Sequence, residues 1–155
     1  MIEIEPIAYV RAPRSAAEDD FWGGEEARIE LAPGVDAHAL DGIDAFSHVE
    51  VLFQFHGVEL AKIERGARHP RNNKDWPKVG IFAQRGKNRP NRLGTCIARL
   101  LRREERVLVV AELDAIDGTP VVDIKPVMQE FLPRTAVRQP EWSREIMRDY
   151  WTIRK

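Results

Sequence analysis

The chain has 155 residues, 43% of them apolar and 32% charged, with a formal net charge of −1. That is the size of one ordinary domain with a single core, and the balance is that of a soluble globular protein rather than a disordered or fibrous one. No run approaches the roughly 20 apolar residues of a membrane span, no basic and apolar leader is visible at the start, and the single cysteine, Cys96, excludes an intrachain disulfide and fits a reducing, cytoplasmic setting.

The net charge hides an asymmetry. Residues 1–60 carry thirteen acidic and three basic side chains, residues 61–92 two acidic and ten basic, and residues 93–155 ten acidic and eleven basic. A cationic block on an otherwise acidic or neutral chain steers anionic partners, unless the acidic first third folds against it and neutralises it.

Taken in order, residues 2–10 alternate apolar and polar and predict one strand, interrupted at Pro6. Asp20-Phe21-Trp22-Gly23-Gly24 predicts a turn, with Trp22 either plugging a sheet edge or offering its ring to a purine. Residues 27–31 read as a short strand ended by Pro33-Gly34, and residues 35–40 as one helical turn. Residues 46–56 are the strongest strand: Val49, Val51, Phe53 and Phe55 face a core, while His48, Glu50, Leu52, Gln54 and His56 face the other way and suggest a cavity lining or an interface. Eight residues along a strand is roughly 26 Å, so His48 and His56 cannot share a metal, and no metal site is expected.

Residues 57–78 form a basic segment with a helical turn and then irregular chain, anchored by Trp76 before Pro77. Within it Arg68 and Arg71 are candidates for phosphate contacts. Residues 79–83 predict a strand that breaks into a loop holding Arg85, Lys87, Arg89 and Arg92, punctuated by Gly86 and Pro90. Four cations in such a loop suit a phosphate or carboxylate partner, or else a solvated hairpin tip. Residues 93–101 and 106–113 predict a hairpin turning at Glu104-Glu105, with Val107, Val109, Ala111 and Leu113 on one face. Asp117-Gly118-Thr119-Pro120 is a tight turn with Asp114 and Asp123 near it, and residues 121–125 are a last strand stopped by Pro126. Trp142, Ile146 and Tyr150 at i, i+4, i+8 predict one amphipathic helix over about 140–151. At least six short strands with Gly/Pro turns and few helices favour an all-β, mainly antiparallel barrel or compact sheet. No Gly-x-Gly-x-x-Gly joins a strand to a helix, so a dinucleotide-type cofactor fold is excluded.

Three stretches, in order, carry a resemblance: residues 42–56, residues 79–94 with Val79-Gly80-Ile81-Phe82-Ala83, Arg85, Arg89-Pro90-Asn91 and Gly94, and residues 113–126 with Asp117-Gly118-Thr119-Pro120 and Asp123-Ile124-Lys125-Pro126. Together they resemble the TsaA-like family, which includes S-adenosylmethionine-dependent enzymes that methylate N6 of threonylcarbamoyl-adenosine at tRNA position 37. The resemblance implies a compact TsaA-like β-barrel spanning residues 1–155 as one domain, S-adenosyl-L-methionine as cofactor, tRNA as partner and a homodimer. It places Arg85 on the cofactor carboxylate, His56 and Gly57 beside the cofactor, and Asp117, Gly118 and Thr119 at the turn closing the pocket. Arg89, Pro90 and Asn91 would face substrate or the other subunit. A proton leaves the acceptor nitrogen during methylation, and Asp117 and His56 are the candidates to receive it. The sequence departs from the family at Gln84, where Thr is common, at Gly86-Lys87-Asn88 and at Arg92, and Asp20-Phe21-Trp22 stands where many members carry Pro-Arg-Gln. The characterised tRNA enzymes also carry an additional C-terminal domain. A non-catalytic barrel that binds S-adenosylmethionine or RNA is the alternative reading.

Overall fold

The computed structural model describes residues 1–154. Six strands close into an antiparallel barrel in the order β1-β2-β7-β6-β3-β8. They are β1 (Ala8–Arg11), β2 (Glu26–Leu31), β3 (His48–Gln54), β6 (Leu93–Glu104), β7 (Val107–Ala111) and β8 (Pro120–Pro126). The remaining two, β4 (Ala67–Arg68) and β5 (Val79–Gly80), pair as a separate ribbon. The barrel closes where Ala8 and Tyr9 meet Val121 and Pro120.

Alternation sets which residues fill it. Ala8 and Val10, Ala27 and Ile29, Val49, Val51 and Phe53, Cys96 and Ala98, Leu108 and Val110, and Val121 make one buried cluster. Each large apolar side chain so buried contributes about 1.5–3 kcal/mol relative to exposure. The core face expected on the strand after residue 46 is the observed one.

Four expectations need correction. Residues 2–6 form no strand: they are exposed, and pairing begins only at Ala8, past Pro6. On β7 the inward residues are Leu108 and Val110, not Val107 and Val109. That strand is apolar on both faces, so a period of two cannot choose between them. The outward Val109 registers with Arg28 on one side and Arg102 on the other, and both guanidiniums bind Glu104, at 2.9 and 2.8 Å, so their stems flank it. The strand predicted over 79–83 stops at Gly80: Ile81–Ala83 is a 3₁₀ turn, with Ile81 buried, its amide bonded to the Gly66 carbonyl, and Phe82 78% exposed. The C-terminal helix is α1 (Glu141–Ile146), and tight turns replace it up to Tyr150.

The topology sorts the loops. The C-termini of β1, β3 and β7 and the N-termini of β2, β6 and β8 lie at one end, so the long connections 12–25, 55–92 and 112–119 gather there. At the other end, Arg103 bonds the Asp41 carboxylate and the Ala37 carbonyl, and Arg106 bonds the carbonyls of Val35 and Ala32, all at 2.8–2.9 Å. Because β8 finishes at that second end, with Pro126 opposite Val49, residues 127–140 run back along the outside of the barrel. The tail then docks on the first end: Phe21 and Trp22 amides donate to the carbonyls of Asp149 and Tyr150, at 3.1 and 2.8 Å, and Gly23 bridges Ile153. A Cβ at Gly23 would stand 2.0 Å from the Trp151 carbonyl oxygen, so only glycine lets the tail lie this close. Among the described residues no helix is long and apolar enough to cross a membrane.

Candidate functional site

The loop-bearing end holds the candidate site. The 117–118 turn is fixed to the chain entering from β1: the Asp117 amide donates to the Arg14 carbonyl at 2.7 Å, the Gly118 amide to Val10 at 2.8 Å, and Asp117 Oδ1 accepts from the Ala12 amide at 3.0 Å. Gly118 has φ of +82°, a conformation that suits glycine. Thr119 is buried, and its hydroxyl donates to the Ile116 carbonyl at 2.7 Å. His56, just past β3, points at this turn, with Nε2 3.7 Å from where a Cβ on Gly118 would stand. His56 and the turn, about sixty residues apart in sequence, therefore meet, and Gly57 follows exposed. Asp123 does not join them: it lies within β8 beside Leu52, bound to Lys125 at 3.1 Å. The carboxylate group expected around the turn is reduced to Asp114 and Asp117.

The cationic loop folds back on itself. Arg85 Nη2 donates to the Thr95 carbonyl at 3.1 Å, and the rest of its exposed guanidinium is available. Arg89 Nη1 donates to the Gln84 carbonyl at 2.7 Å, Arg92 to the Val58 carbonyl at 3.2 Å, and the Gln84 amide to the carbonyls of Arg68 and Val79. Pro90 opens a 3₁₀ turn in which Asn91 and Arg92 both take positive φ, as Arg71 and Asn72 do after Pro70. Such conformations are unfavourable for L-residues and persist where surrounding bonds over-determine them. Arg68 reaches Asn72 at 2.7 Å. Arg71 is held by both oxygens of Asp20, at 3.0 and 3.3 Å, with Asp19 at 3.8 Å, so the acidic first third neutralises one cation of the block. Arg65, Lys74, Lys78 and Lys87 remain exposed. His48 sits at the opposite barrel end from His56, with Nδ1 2.6 Å from the Ser47 hydroxyl. Among the described residues no three His, Cys, Asp or Glu side chains gather as a metal site.

Two arrangements here go beyond the sequence reading. Arg14 is buried with its guanidinium 3.6 Å above the Trp22 ring, and it donates to the carbonyls of Asp20 and Phe21. Trp22 is thus a buried plug under the acidic loop, and its ring face is taken by Arg14. The second is Asp114. Its Oδ2 accepts a hydrogen bond from the Tyr150 hydroxyl, while its Oδ1 is buried with no partner among the described residues. Burial pushes the Asp114 carboxyl up, against the opposing pull of the Tyr150 hydroxyl, the Cys96 thiol and the Arg85 charge. Burial, then the neighbouring carboxylate, pushes the Tyr150 and Cys96 protons far above their ordinary range, so both stay protonated as donors. An acid between two buried apolar residues, Leu113 and Ala115, is the signal that points to this position.

The family model described as the tRNA-methyltransferase O N-terminal domain matches residues 11–131. A probable S-adenosyl-L-methionine-binding protein of Methanothermobacter thermautotrophicus is 37% identical over 136 residues, covering 83% of this chain and 92% of that protein. The tRNA (adenine(37)-N6)-methyltransferase of Escherichia coli is 37% identical over 102 residues, which span 63% of this chain and 43% of that enzyme. A crystal structure of TrmO superposes with a TM-score of 0.72 at 29% identity, over 90% of this chain and 63% of that one.

Proposed function

The chain belongs to the tRNA-methyltransferase O N-terminal domain family, and from that membership we propose that it is an S-adenosyl-L-methionine-dependent methyltransferase acting on N6 of an adenine at tRNA position 37. The observation that carries the reading is convergence. Residues 42–56, 79–94 and 113–126, far apart in sequence, bring His56, Arg85 and the Asp117-Gly118 turn to one end of the barrel. The donor set fits the cofactor: a guanidinium with spare donors, an imidazole beside a glycine turn, and a buried carboxylate oxygen lacking a partner. When bound there, S-adenosyl-L-methionine supplies an activated methyl on a sulfonium. Arg85 holds its carboxylate, and His56, Gly57, Gly118 and Thr119 line its bed. The chain's main contribution is positioning the acceptor nitrogen in line, and Asp117 or His56 receives the proton that nitrogen sheds.

We read residues 1–155 as one working unit in the cytoplasm, a homodimer with no metal requirement. The outer face of β3 and β6, where Leu93 and Ile97 are exposed around the Thr95–Glu50 hydrogen bond, supports a second copy there, with Arg89, Pro90 and Asn91 near the shared edge. Sedimentation at high micromolar concentration tests it: a 17.8 kDa monomer overturns the dimer. Arg68 and the exposed Arg65, Lys74, Lys78 and Lys87 contact tRNA phosphates, and Arg71 joins them only by leaving Asp20. Filter binding should then show a log–log salt slope of roughly −2 to −4, about −0.7 per contact on single strands, and a flat response removes the RNA platform.

The deciding experiment is methyl transfer to unmodified tRNA with mass spectrometry of the nucleosides. Cofactor binding without transfer would instead favour a non-catalytic binding protein, the reading suggested by the name of the archaeal relative.

A further inference from the structure

We propose that Phe82 is a stacking platform for one unpaired nucleobase of an RNA, the exposed cations around it taking the flanking phosphates. The platform rests on the RNA reading of the cationic block and adds a contact to a base, which phosphate contacts alone do not supply.

The starting point is a phenylalanine ring left 78% exposed inside that block. Its backbone is fixed on both sides. Ile81 is buried and its amide donates to the Gly66 carbonyl at 2.8 Å, while the Gln84 amide donates to the Ile81 carbonyl at 3.2 Å. The Gln84 side chain donates to the carbonyls of Arg68 and Val79, at 2.9 and 3.1 Å. The ring therefore stands on a braced turn, and little backbone freedom is lost when a base lies on it. Arg65 enters and Phe82 leaves the β4–β5 ribbon at the same end, on either side of the Ile81–Gly66 bond. Lys78 comes four residues before the ring and Arg85 three after, and all three cations are exposed. Glu64, the acid preceding Arg65, turns its Oε2 onto the Arg65 and Gly66 amides at 3.1 and 3.0 Å. An open aromatic face among cations matches both parts of an unpaired nucleotide, its π-face and its phosphates.

Other rings near this end are already engaged. Trp22, the aromatic that the sequence offers to a purine, lies under Arg14, and Phe21 faces the Arg154 guanidinium at 5.1 Å. The Trp76 indole donates to Glu145 at 2.7 Å, and Phe55 packs edge-on against Phe53. Phe131 is as open, at 85%, but stands on the wall run beside Glu130, outside the cationic block. A second copy of the chain is the poorer occupant for Phe82. The neighbouring exposed positions are Gly80, Ala83 and the cations, and a two-fold contact here would set like charges against one another.

Fluorescence anisotropy with an unpaired oligoribonucleotide, and with an RNA duplex of the same length, tests the platform. Phe82→Ala should weaken the unpaired strand about tenfold or more and leave the duplex unchanged. The log–log salt slope should stay at the wild-type value, because stacking releases no counterions. Phe82→Leu should behave like Phe82→Ala, and Phe82→Trp should bind at least as well as wild type. An unmoved melting temperature certifies that each variant is folded, and Phe82→Leu carries the comparison if Phe82→Ala melts early. Unchanged affinity, equal loss on the duplex, or a leucine variant equal to wild type overturns the platform. So does sedimentation in which Phe82→Ala turns a wild-type dimer into monomers, which gives the ring to a second copy. A wild type that binds the strand with a salt-dependent slope but is indifferent to Phe82 sinks the platform alone. A wild type that binds no RNA removes the RNA reading and the platform with it.

Discussion

The two ends of the barrel are stitched by the same residue types to opposite effect. At the closed end, arginines find carboxylates: the hydrogen bond from Arg103, then that from His38, holds the Asp41 carboxyl below its ordinary value, and Arg102 and Arg28 do the same for Glu104. At the loop-bearing end Arg71 still finds Asp20, but burial dominates at Asp114, whose carboxyl is held above its ordinary value. The closed end is complete in itself, whereas the open end is left with a bare acceptor and spare cationic donors. An unsatisfied group maintained in an otherwise satisfied fold is the expected mark of a place where something binds.

The largest blow to this contrast comes from the shared core. Phe53 fills the core just beneath the loop-bearing end, in register with Gly94 and Val121, and Phe53→Ala should cost about 3–5 kcal/mol of stability, read by denaturant unfolding; a loss under about 1 kcal/mol would mean that this ring is not part of the packed core. Next come the arginines. Arg85→Ala should weaken S-adenosylmethionine binding by about 1.5–3 kcal/mol and barely move the melting temperature. Arg106→Ala, which takes the donor from the Val35 carbonyl and leaves the Ala32 carbonyl with only the Val35 amide, should do the reverse, costing about 1–2 kcal/mol of stability with the ligand affinity intact. Swapped outcomes would erase the division of labour.

A smaller effect tests the tail. Gly23→Ala forces a Cβ into the Trp151 carbonyl and should release residues 149–153, costing about 1–3 kcal/mol. Hydrogen exchange at the Phe21 and Trp22 amides should speed up while β3 and β6 amides keep their protection. Unchanged exchange would show that the tail is not held by this contact.

The smallest effect is in pH. A carboxyl raised in the folded state binds its proton more tightly there than in the unfolded chain, so its contribution favours folding in acid and is lost as pH rises from the ordinary value of 3.8 through the raised one. Asp41 and Glu104 run the other way, their stabilisation present above the ordinary carboxylate range and lost as pH falls through the lowered values. Asp114→Asn should therefore steepen the acid loss of stability of the ligand-free protein and flatten its decline towards neutrality. Thermal unfolding between pH 3 and 7 reads both, and a variant curve parallel to wild type would show that Asp114 titrates alike in both states.

Much of the barrel was legible because half-buried strands carry a period of two: β2, β3, β8 and the β6–β7 hairpin fall where alternation and turn residues put them. It failed where pattern carries no information. β7 is apolar on both faces, and residues 2–6 alternate without a partner strand to pair with. The tail helix was overextended because spacing at i, i+4, i+8 is silent about Tyr150 being claimed by Asp114, thirty-six residues away. For the candidate site, the signature residues fall together at one barrel end, and Arg71 illustrates the limit: a basic residue in a basic run gives no hint that Asp20, fifty-one residues upstream, already holds it.

The route of residues 127–140 along the barrel wall has a consequence for the order in which the molecule is made. The barrel cannot close until Pro120 and Val121 reach Tyr9 and Ala8, and the open end gains Tyr150 only after the crossing has been laid down. During synthesis from the N-terminus, a shell with a finished closed end therefore precedes a finished pocket. A chain ended after residue 126 would hold every strand of the barrel but would lack the Tyr150 hydroxyl that bonds Asp114.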